Sequence, residues 1–207
     1  MGREFACDGV IIEKGKLLLI KRAAQPGKGE WAVPGGRIEL DEDAIGCLKR
    51  EMKEETNLDV EPIALVGIYS DPKRDVRGVI AAAYLCKIIG GTLQHGDDAG
   101  EAKWFDLDKL PVLWADHGEI VKNAIWLIVN KHLKKAYNTL FESVNSGDFE
   151  KFIEHNELEL ALDELETAAD NCRTTSGFWL ELAGAAMLMN LKEHQKRYES
   201  VIERLKL

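Results

Sequence analysis

The chain has 207 residues, of which 45% are hydrophobic and 30% are charged, so its length permits one or two domains with a proper core. This balance excludes the disordered and fibrous classes of protein. The 27 Lys and Arg against 36 Asp and Glu give a formal net charge of −9, which argues against a dedicated nucleic-acid-binding protein. The longest apolar runs are too short to span a bilayer, and the start of the chain lacks a signal-peptide pattern. We therefore predict a cytoplasmic protein without a membrane segment.

The first part of the chain alternates short strand patterns with turn signals. Two of these patterns flank the letters EKG and predict a hairpin. Helical spacing of apolar residues predicts a helix from about 41 to 56, with Asp41 or Asp43 as its cap and Asn57 at its end. A second helix is predicted at about 116–129. The predicted strands are 10–12, 16–20, 31–33, 64–69, 79–88 and 102–105.

Beyond about residue 131 the chain contains no proline, and its apolar residues recur at helical spacing. It carries nine basic and 14 acidic residues from 133 onward, a net charge of −5. We predict an α/β domain over 1–131 and a small all-α domain over 132–207. For the helical region, a homodimer surface and a docking site for a protein partner both stay open. The predicted helices of this region are 131–145, 148–170, 176–189 and 191–206.

One acidic segment of the predicted helix carries a chemical signal. Glu51, Glu54 and Glu55 are three and four positions apart, so their carboxylates project from one helix face. Like charges this close repel one another, whereas hard oxygen ligands in a compact cluster suit Mg²⁺ or Mn²⁺. Arg50 lies beside them and is able to orient a carboxylate through paired hydrogen bonds. Such a cluster alone is usually a solvated face, but here the pattern extends over 36–58.

This segment resembles the Nudix box, G-x5-E-x7-R-E-U-x-E-E-x-G-U, in which U is a bulky aliphatic residue. Asn57 stands where the family has its last glycine, and asparagine is the next-best residue at positive φ. The resemblance covers about residues 3–130 and includes the strand EWAVPGG. It implies an α/β/α sandwich with a mixed sheet, and hydrolysis of a nucleoside diphosphate linked to another group. The matching positions are Gly36, Glu42, Arg50, Glu51, Met52, Glu54, Glu55 and Leu58.

The resemblance also implies the roles of the box residues. A main-chain carbonyl of Gly35 or Gly36 would join the metal ligands, while Arg50 would hold the ligand carboxylates and Glu42 would support the loop. The metal would be Mg²⁺, with Mn²⁺ as the alternative, and it would activate a water for attack on phosphorus. The metal ligands implied by the box are Gly36, Glu51, Glu54 and Glu55.

A general base is predicted in the second charged loop. Glu101 directly precedes an apolar strand pattern. In this region the family often has a further glutamate that ligates the metal or acts as the general base. Asp97 and Asp98 are its rivals, and an ordinary loop carboxylate is the alternative interpretation. Glu101 is also predicted as a further metal ligand. The residues predicted to take part in catalysis are Glu42, Arg50, Glu54 and Glu101.

The loop YSDPKRDVRG, residues 69–78, resembles the SDPxRDPRGH segment of the Nudix subgroup active on ADP-ribose and related sugar nucleotides. A later GDDAGEAKWF segment is similar to the subgroup's GDDAxEAxWF. Val76 replaces the second proline and Val79 stands in place of histidine. Arg74 and Arg77 are predicted to bind phosphate or a terminal ribose, unless Arg77 only pairs with Asp75 in a solvated turn.

Three residues near the third strand pattern complete the predicted substrate site. Lys21 and Arg22 follow an apolar strand and are predicted to face the phosphates. Trp31 either stacks on a base or belongs to the core. The predicted function is Mg²⁺-dependent hydrolysis of ADP-ribose to AMP and ribose 5-phosphate. A Nudix-derived sensor without turnover, or a pyrophosphatase acting on nucleoside triphosphates or dinucleotides, is the alternative.

Overall fold

The computed structural model describes residues 2–94, 99–140, 147–170 and 172–205. The chain divides into two compact units, residues 1–124 and 125–207. The predicted domain boundary after residue 131 stays a prediction. Among the described residues, no helix is long and apolar enough to cross a membrane.

The first unit is built on two sheets. One has the order β5-β1-β7-β6, in which β1 and β7 are parallel and the other neighbours are antiparallel. In the other sheet β3 pairs antiparallel with β2, β4 and β8. The predicted mixed sheet is therefore confirmed. The strands are β1 Phe5–Val10, β2 Ile12–Glu13, β3 Lys16–Arg22, β4 Trp31–Ala32, β5 Gly35–Arg37, β6 Leu58–Tyr69, β7 Ile80–Gly91 and β8 Ala99–Asp106.

The predicted hairpin at EKG is confirmed as the turn between β2 and β3. Its two central residues, Lys14 and Gly15, have φ angles of 49° and 72°. Positive φ at both positions gives a two-residue turn whose twist matches that of the flanking strands. This hairpin fixes the start of β3, the strand that later carries Arg22 into the site.

Helix α1, Ala44–Thr56, carries the acidic segment. The Asp43 carboxylate accepts a hydrogen bond from the Gly46 N–H at 2.7 Å, which satisfies a backbone donor that the first helical turn leaves unpaired. Asn57 closes the helix in the left-handed region with a φ of 57°. One of the two predicted caps and the predicted helix end are therefore confirmed, and the helix begins three residues later than predicted because Asp43 is its cap.

Helix α1 packs directly on the central strand β1. Its buried residues Leu48 and Met52 join Cys7 and Ile11 in one core cluster. A Cβ at Gly9 of β1 would overlap the Met52 sulfur at 2.5 Å, so glycine permits this close approach. The same packing places Glu51 and Glu55, which border the buried stripe of α1, next to Gly36 and Gly35 of β5.

The helical region differs from the prediction in two places. The predicted break at 129–131 is wrong, because one helix runs through it and the polar Asn130 is buried inside that helix. The single predicted helix over 148–170 is also wrong, since it is interrupted at 155–157, where Asn156 has a φ of 60°. Residues 141–145 of the first predicted helix lie outside the described residues. The helices are α2 His117–Leu140, α3 Gly147–Glu154, α4 Leu158–Ala169, α5 Ser176–Leu188 and α6 Lys192–Leu205.

Helices α5 and α6 confirm the last two predicted helices and pack around an aromatic cluster. Trp179 lies edge-on to Phe178 with ring centroids 5.0 Å apart, and 5.5 Å from Tyr198. Leu182 and Tyr198 are fully buried. The all-α character predicted for this region is therefore confirmed, while the homodimer and the protein partner stay predictions.

Candidate active site

A cleft of about 470 Å³ lies in the first unit, between the end of β1, strand β5, helix α1 and the loop after β6. Both carboxylates and guanidinium groups line it, so it is able to hold an anion together with a cation. Of the predicted site residues, the following line it: Arg22, Gly36, Glu51, Glu55, Arg74 and Arg77.

Arg50 organises the acidic face of α1. Its guanidinium donates to both carboxylate oxygens of Glu42, at 2.6 and 3.1 Å. The same group donates to Glu51 at 2.8 Å and to Glu54 at 3.0 Å. A paired, charge-assisted hydrogen bond of this kind is strong, and it holds the pKa of Glu42 down at about 2. Arg50 therefore ties the loop before α1 to two of the predicted metal ligands, although its catalytic role stays a prediction.

Glu55 is the most enclosed of the three helix carboxylates. It is buried, and its Oε2 accepts a hydrogen bond from the Gly35 N–H at 2.8 Å. Burial raises the pKa of Glu55 to about 8, and the nearby charge of Glu51 acts in the same direction. Burial also raises the pKa of Glu51. Two carboxylates with raised pKa values at one end of a cleft gain most from a bound cation.

The residues present fit a divalent cation of the Mg²⁺ type. Their donors are hard carboxylate and carbonyl oxygens, and the absence of a Cβ at Gly36 leaves room for the Glu51 carboxylate in its present position. In this structure one Arg50 nitrogen, Nη1, supplies the positive charge between Glu51 and Glu54. Glu54 itself is exposed. Within the described part of the chain, one group of metal-ligating side chains has its ligand atoms within 4.8 Å, and it lies elsewhere: Asp163, Glu166 and His194.

The arginines of the loop after β6 reach the cleft but are already paired. The Arg74 guanidinium donates to both oxygens of Asp116, at 2.7 and 2.8 Å. Arg77 donates to Asp75 at 2.5 Å, so the pair considered from the sequence is present. Arg22 instead donates to the Pro26 carbonyl at 3.0 Å. We find no carboxylate within salt-bridge distance of Arg22 among the described residues, which leaves its charge available to a phosphate.

Three predicted site residues lie on one face of the sheet that contains β3, away from the cleft: Lys21, Trp31 and Glu101. Side chains alternate along a strand, so Lys21 points away from the face on which Arg22 lines the cleft. Lys21 pairs in register with both Trp31 and Glu101, and Lys103 donates to Glu101 at 2.9 Å. Lys103 also lies 4.7 Å from the Trp31 ring centroid. The structure thus groups these residues with one another and not with the carboxylates of α1; Asp97 and Asp98 lie outside the described residues.

Sequence reasoning missed two buried polar groups of the cleft. Asp8 lies in β1 with 6% of its surface exposed, and burial raises the pKa of its carboxyl to about 7. His117 accepts a hydrogen bond from the Val33 N–H on Nδ1 at 3.2 Å, and burial lowers the pKa of its ring to about 4. The one signal for Asp8 in the sequence is an acidic residue inside the apolar strand FACDGVII. For His117 we find no such signal.

The part of the chain that contains this cleft matches a known protein family. The model of the NUDIX domain matches residues 4–124, more than half of the chain. The chain belongs to the NUDIX domain family. The matched range contains the whole box and all residues that line the cleft. It ends before most of the helical region, so the Nudix assignment explains the first unit.

Individual relatives agree with this assignment. The chain is 48% identical over 119 residues to an ADP-ribose pyrophosphatase of Methanocaldococcus jannaschii, a match covering 57% of this chain and 70% of the relative. A MutT/nudix family protein from Enterococcus faecalis has a TM-score of 0.57 at 30% identity, over 63% of each chain. An ADP-ribose pyrophosphatase from Streptococcus suis has a TM-score of 0.52 at 28% identity, over 59% of this chain and 90% of its own. The predicted resemblance and the Nudix pyrophosphohydrolase class are therefore confirmed.

Proposed function

We propose that the protein hydrolyses ADP-ribose to AMP and ribose 5-phosphate in the presence of Mg²⁺. The observation that carries this proposal is the meeting of two segments in one cleft. The box glutamates Glu51 and Glu55 line one end, and Arg74 and Arg77 from the loop after β6 line another part. The relative with 48% identity is named for this activity, which supports the choice of substrate.

The residues of the chain would divide the work as follows. Glu51, Glu54 and Glu55, with the Gly36 carbonyl, would hold Mg²⁺, or Mn²⁺ in its place. When bound, the cation neutralises the pyrophosphate and activates a water for attack on one phosphorus atom. Arg50 would keep the ligand carboxylates in place through the hydrogen bonds it makes to Glu51 and Glu54.

The positive side chains of the site would bind and orient the substrate. Arg22 has no carboxylate partner among the described residues and would contact the pyrophosphate. Arg74 and Arg77 would turn toward the substrate only in part, because each is held by an aspartate. Glu54, whose side chain is exposed, and Glu101 are the proposed candidates for the general base. Lys21 as a contact of the phosphates and Trp31 as a stacking partner of the base stay proposals, and both would require substrate contacts on the face of the sheet away from Arg22.

The test is AMP release from ADP-ribose in the presence of Mg²⁺, followed beside a Glu54→Gln variant. We expect turnover by the wild-type protein, its loss when EDTA removes the cation, and at least a hundredfold lower kcat in the variant. Glu150→Gln, a change of the same kind on exposed α3, is the control and should leave kcat unchanged. Nucleoside triphosphates and dinucleotides are assayed in parallel. Turnover of one of those alone would overturn the substrate, and no turnover of any by a folded protein would overturn the proposal.

A further inference from the structure

The cleft contains one carboxylate that the proposed reaction does not use. Asp8 lies in the middle of β1, pairs in register with Gly35 on one side and Ala83 on the other, and lines the cleft. Only 6% of its surface is exposed. No described residue donates a hydrogen bond to its side chain. Its oxygens are not among the enclosed side-chain atoms that lack a partner in the described residues, so they face the cleft, where a ligand is able to donate to them.

The surroundings of Asp8 favour a particular kind of partner. Arg74, Arg22 and Arg77 all act on it electrostatically, and Asp116 acts against them. Arg22, which donates to the Pro26 carbonyl and has no carboxylate within salt-bridge distance among the described residues, places a positive charge near Asp8 that favours an anion over a second cation. The arginines do not donate hydrogen bonds to the Asp8 carboxylate. The guanidinium of Arg74 donates to Asp116, and that of Arg77 donates to Asp75. The partner that fits is a neutral hydrogen-bond donor attached to an anion.

The backbone keeps the Asp8 oxygens accessible from the cleft. Gly35, the register partner of Asp8, has a φ of 153°, and a Cβ there would lie 2.6 Å from Asp8 Oδ1. Any side chain at this position would therefore cover the carboxylate. The Gly35 N–H donates a hydrogen bond to the Glu55 carboxylate. The Asp8 carboxylate therefore lies close to the end of the cleft where the metal is proposed to bind.

We propose that Asp8 is a specificity-determining residue that accepts hydrogen bonds from the vicinal hydroxyls of a ribose joined to the pyrophosphate. Two neighbouring hydroxyls present two donors to the two oxygens of one carboxylate, the same chemistry by which an acidic residue binds ribose hydroxyls in dinucleotide-binding folds. The inference rests on the proposed function, since it takes a ribose-bearing pyrophosphate as the ligand of this cleft. It assigns preference for sugar-linked substrates to a residue outside the Nudix box.

The experiment measures binding by calorimetry in EDTA, so that no ligand is turned over. Three ligands are used. The first is ADP-ribose, and the second is the methyl ester of ADP, which lacks the distal ribose. The third is an analogue of ADP-ribose in which 2′,3′-dideoxyadenosine replaces adenosine. Asp8→Asn has the same shape without the charge. We expect it to bind ADP-ribose at least tenfold more weakly, and to lose this difference for the analogue that lacks the contacted hydroxyls. That analogue identifies which ribose Asp8 contacts.

Controls separate this role from a structural one. Asp59→Asn removes an exposed carboxylate from β6 of the same unit and should change no affinity. If the melting temperature of Asp8→Asn is well below that of the wild type, two other measurements test the inference. These are the affinities of Asp8→Ser for the same ligands and the preference of the wild type for ADP-ribose over both analogues. Equal weakening for all three ligands, unchanged affinity, or no binding by the wild type would each overturn the inference. Failure of AMP release with binding intact would overturn only the proposed function.

Discussion

The two units of the chain handle charge in opposite ways. The first unit buries Asp8, Glu55, Asp75 and His117, whereas the buried polar residue in the described part of the second unit is the neutral Asn130. In the helical unit the Lys151–Asp148 pair lies at the surface, and the Arg197–Glu166 pair is partly exposed.

This difference indicates which unit carries the chemistry. Burying a charge costs stability unless a partner satisfies it, and exposed ion pairs contribute little. A protein keeps several buried titratable groups in one cleft where ligand binding offsets the cost. The net charge of −9 merges these two populations, so its distribution is more informative than its sum.

The largest expected effect comes from breaking one arginine network in each unit. Arg50→Ala removes the group that joins Glu42, Glu51 and Glu54, and we expect kcat for ADP-ribose to fall about 10³-fold, or about 4 kcal/mol. Arg197→Ala removes the corresponding paired hydrogen bonds from α6 to the Glu166 carboxylate and should leave kcat unchanged. Steady-state kinetics with circular dichroism as a folding check measures both. A similar loss of kcat in the two variants would contradict the division between the units.

The hydrophobic cores, in contrast, should respond alike. Leu48 in α1 and Leu182 in α5 are both fully buried, so truncation to alanine leaves a cavity in either unit. We expect each Leu→Ala change to cost about 3 kcal/mol of unfolding free energy. Leu180→Ala is the control, because this neighbour on α5 is 55% exposed and should cost under about 0.5 kcal/mol. Urea unfolding gives all three values; a cost for Leu180 equal to that for Leu182 would show that the wrong face of α5 is assigned to the core.

The third prediction uses the buried histidine of the first unit. His117 has a pKa of about 4 in the folded protein, against about 6.5 when unfolded. Between these values the unfolded chain binds the extra proton, so lowering the pH from 7 to 5 favours unfolding by about 2 kcal/mol through this group. His117→Asn keeps an acceptor for the Val33 N–H but does not titrate.

The comparison of the two proteins isolates His117. Asp8 and Glu55 have raised pKa values and thus the opposite effect on stability, but both are present in wild type and variant. Charges facing the ring, from Asp116, Arg74 and Arg22, are also retained. Urea unfolding at pH 7 and pH 5 should show a loss that is smaller by about 2 kcal/mol in the variant. An identical loss in both proteins would mean that the ring does not stay neutral on folding.

His117 also shows where sequence reasoning ends. The spacing of residues predicted α1, its C-terminal end and the shared face of its carboxylates, because spacing on one helix is a local property. The contacts that decide the rest of the site are between segments far apart in sequence: Arg74 with Asp116, and Val33 with His117. Strand alternation, which separates Glu101 from the cleft residue Arg22, depends on register that the sequence alone does not give. In the helical region, the prediction placed a break at 129–131, where α2 is in fact continuous and the polar residue Asn130 is buried.

The smallest expected effect tests a feature that the units share. Asp43 caps α1 by accepting from the Gly46 N–H at 2.7 Å, and Thr175 caps α5 by accepting from the Phe178 N–H at 3.3 Å. Because capping satisfies a local backbone donor, its contribution does not depend on whether the helix carries a catalytic face. Asp43→Ala and Thr175→Ala should each cost about 1 kcal/mol of unfolding free energy.

Neighbouring residues provide the matched controls for these caps. Asp41→Ala and Ser176→Ala remove polar side chains close to the two helix starts, and neither residue is the cap. Both changes should stay within about 0.5 kcal/mol of the wild type in urea unfolding. If Asp43→Ala cost several times more than Thr175→Ala, the start of α1 would be held by more than its cap. The loop that Glu42 and Arg50 tie to α1 would then contribute to folding as well as to the site.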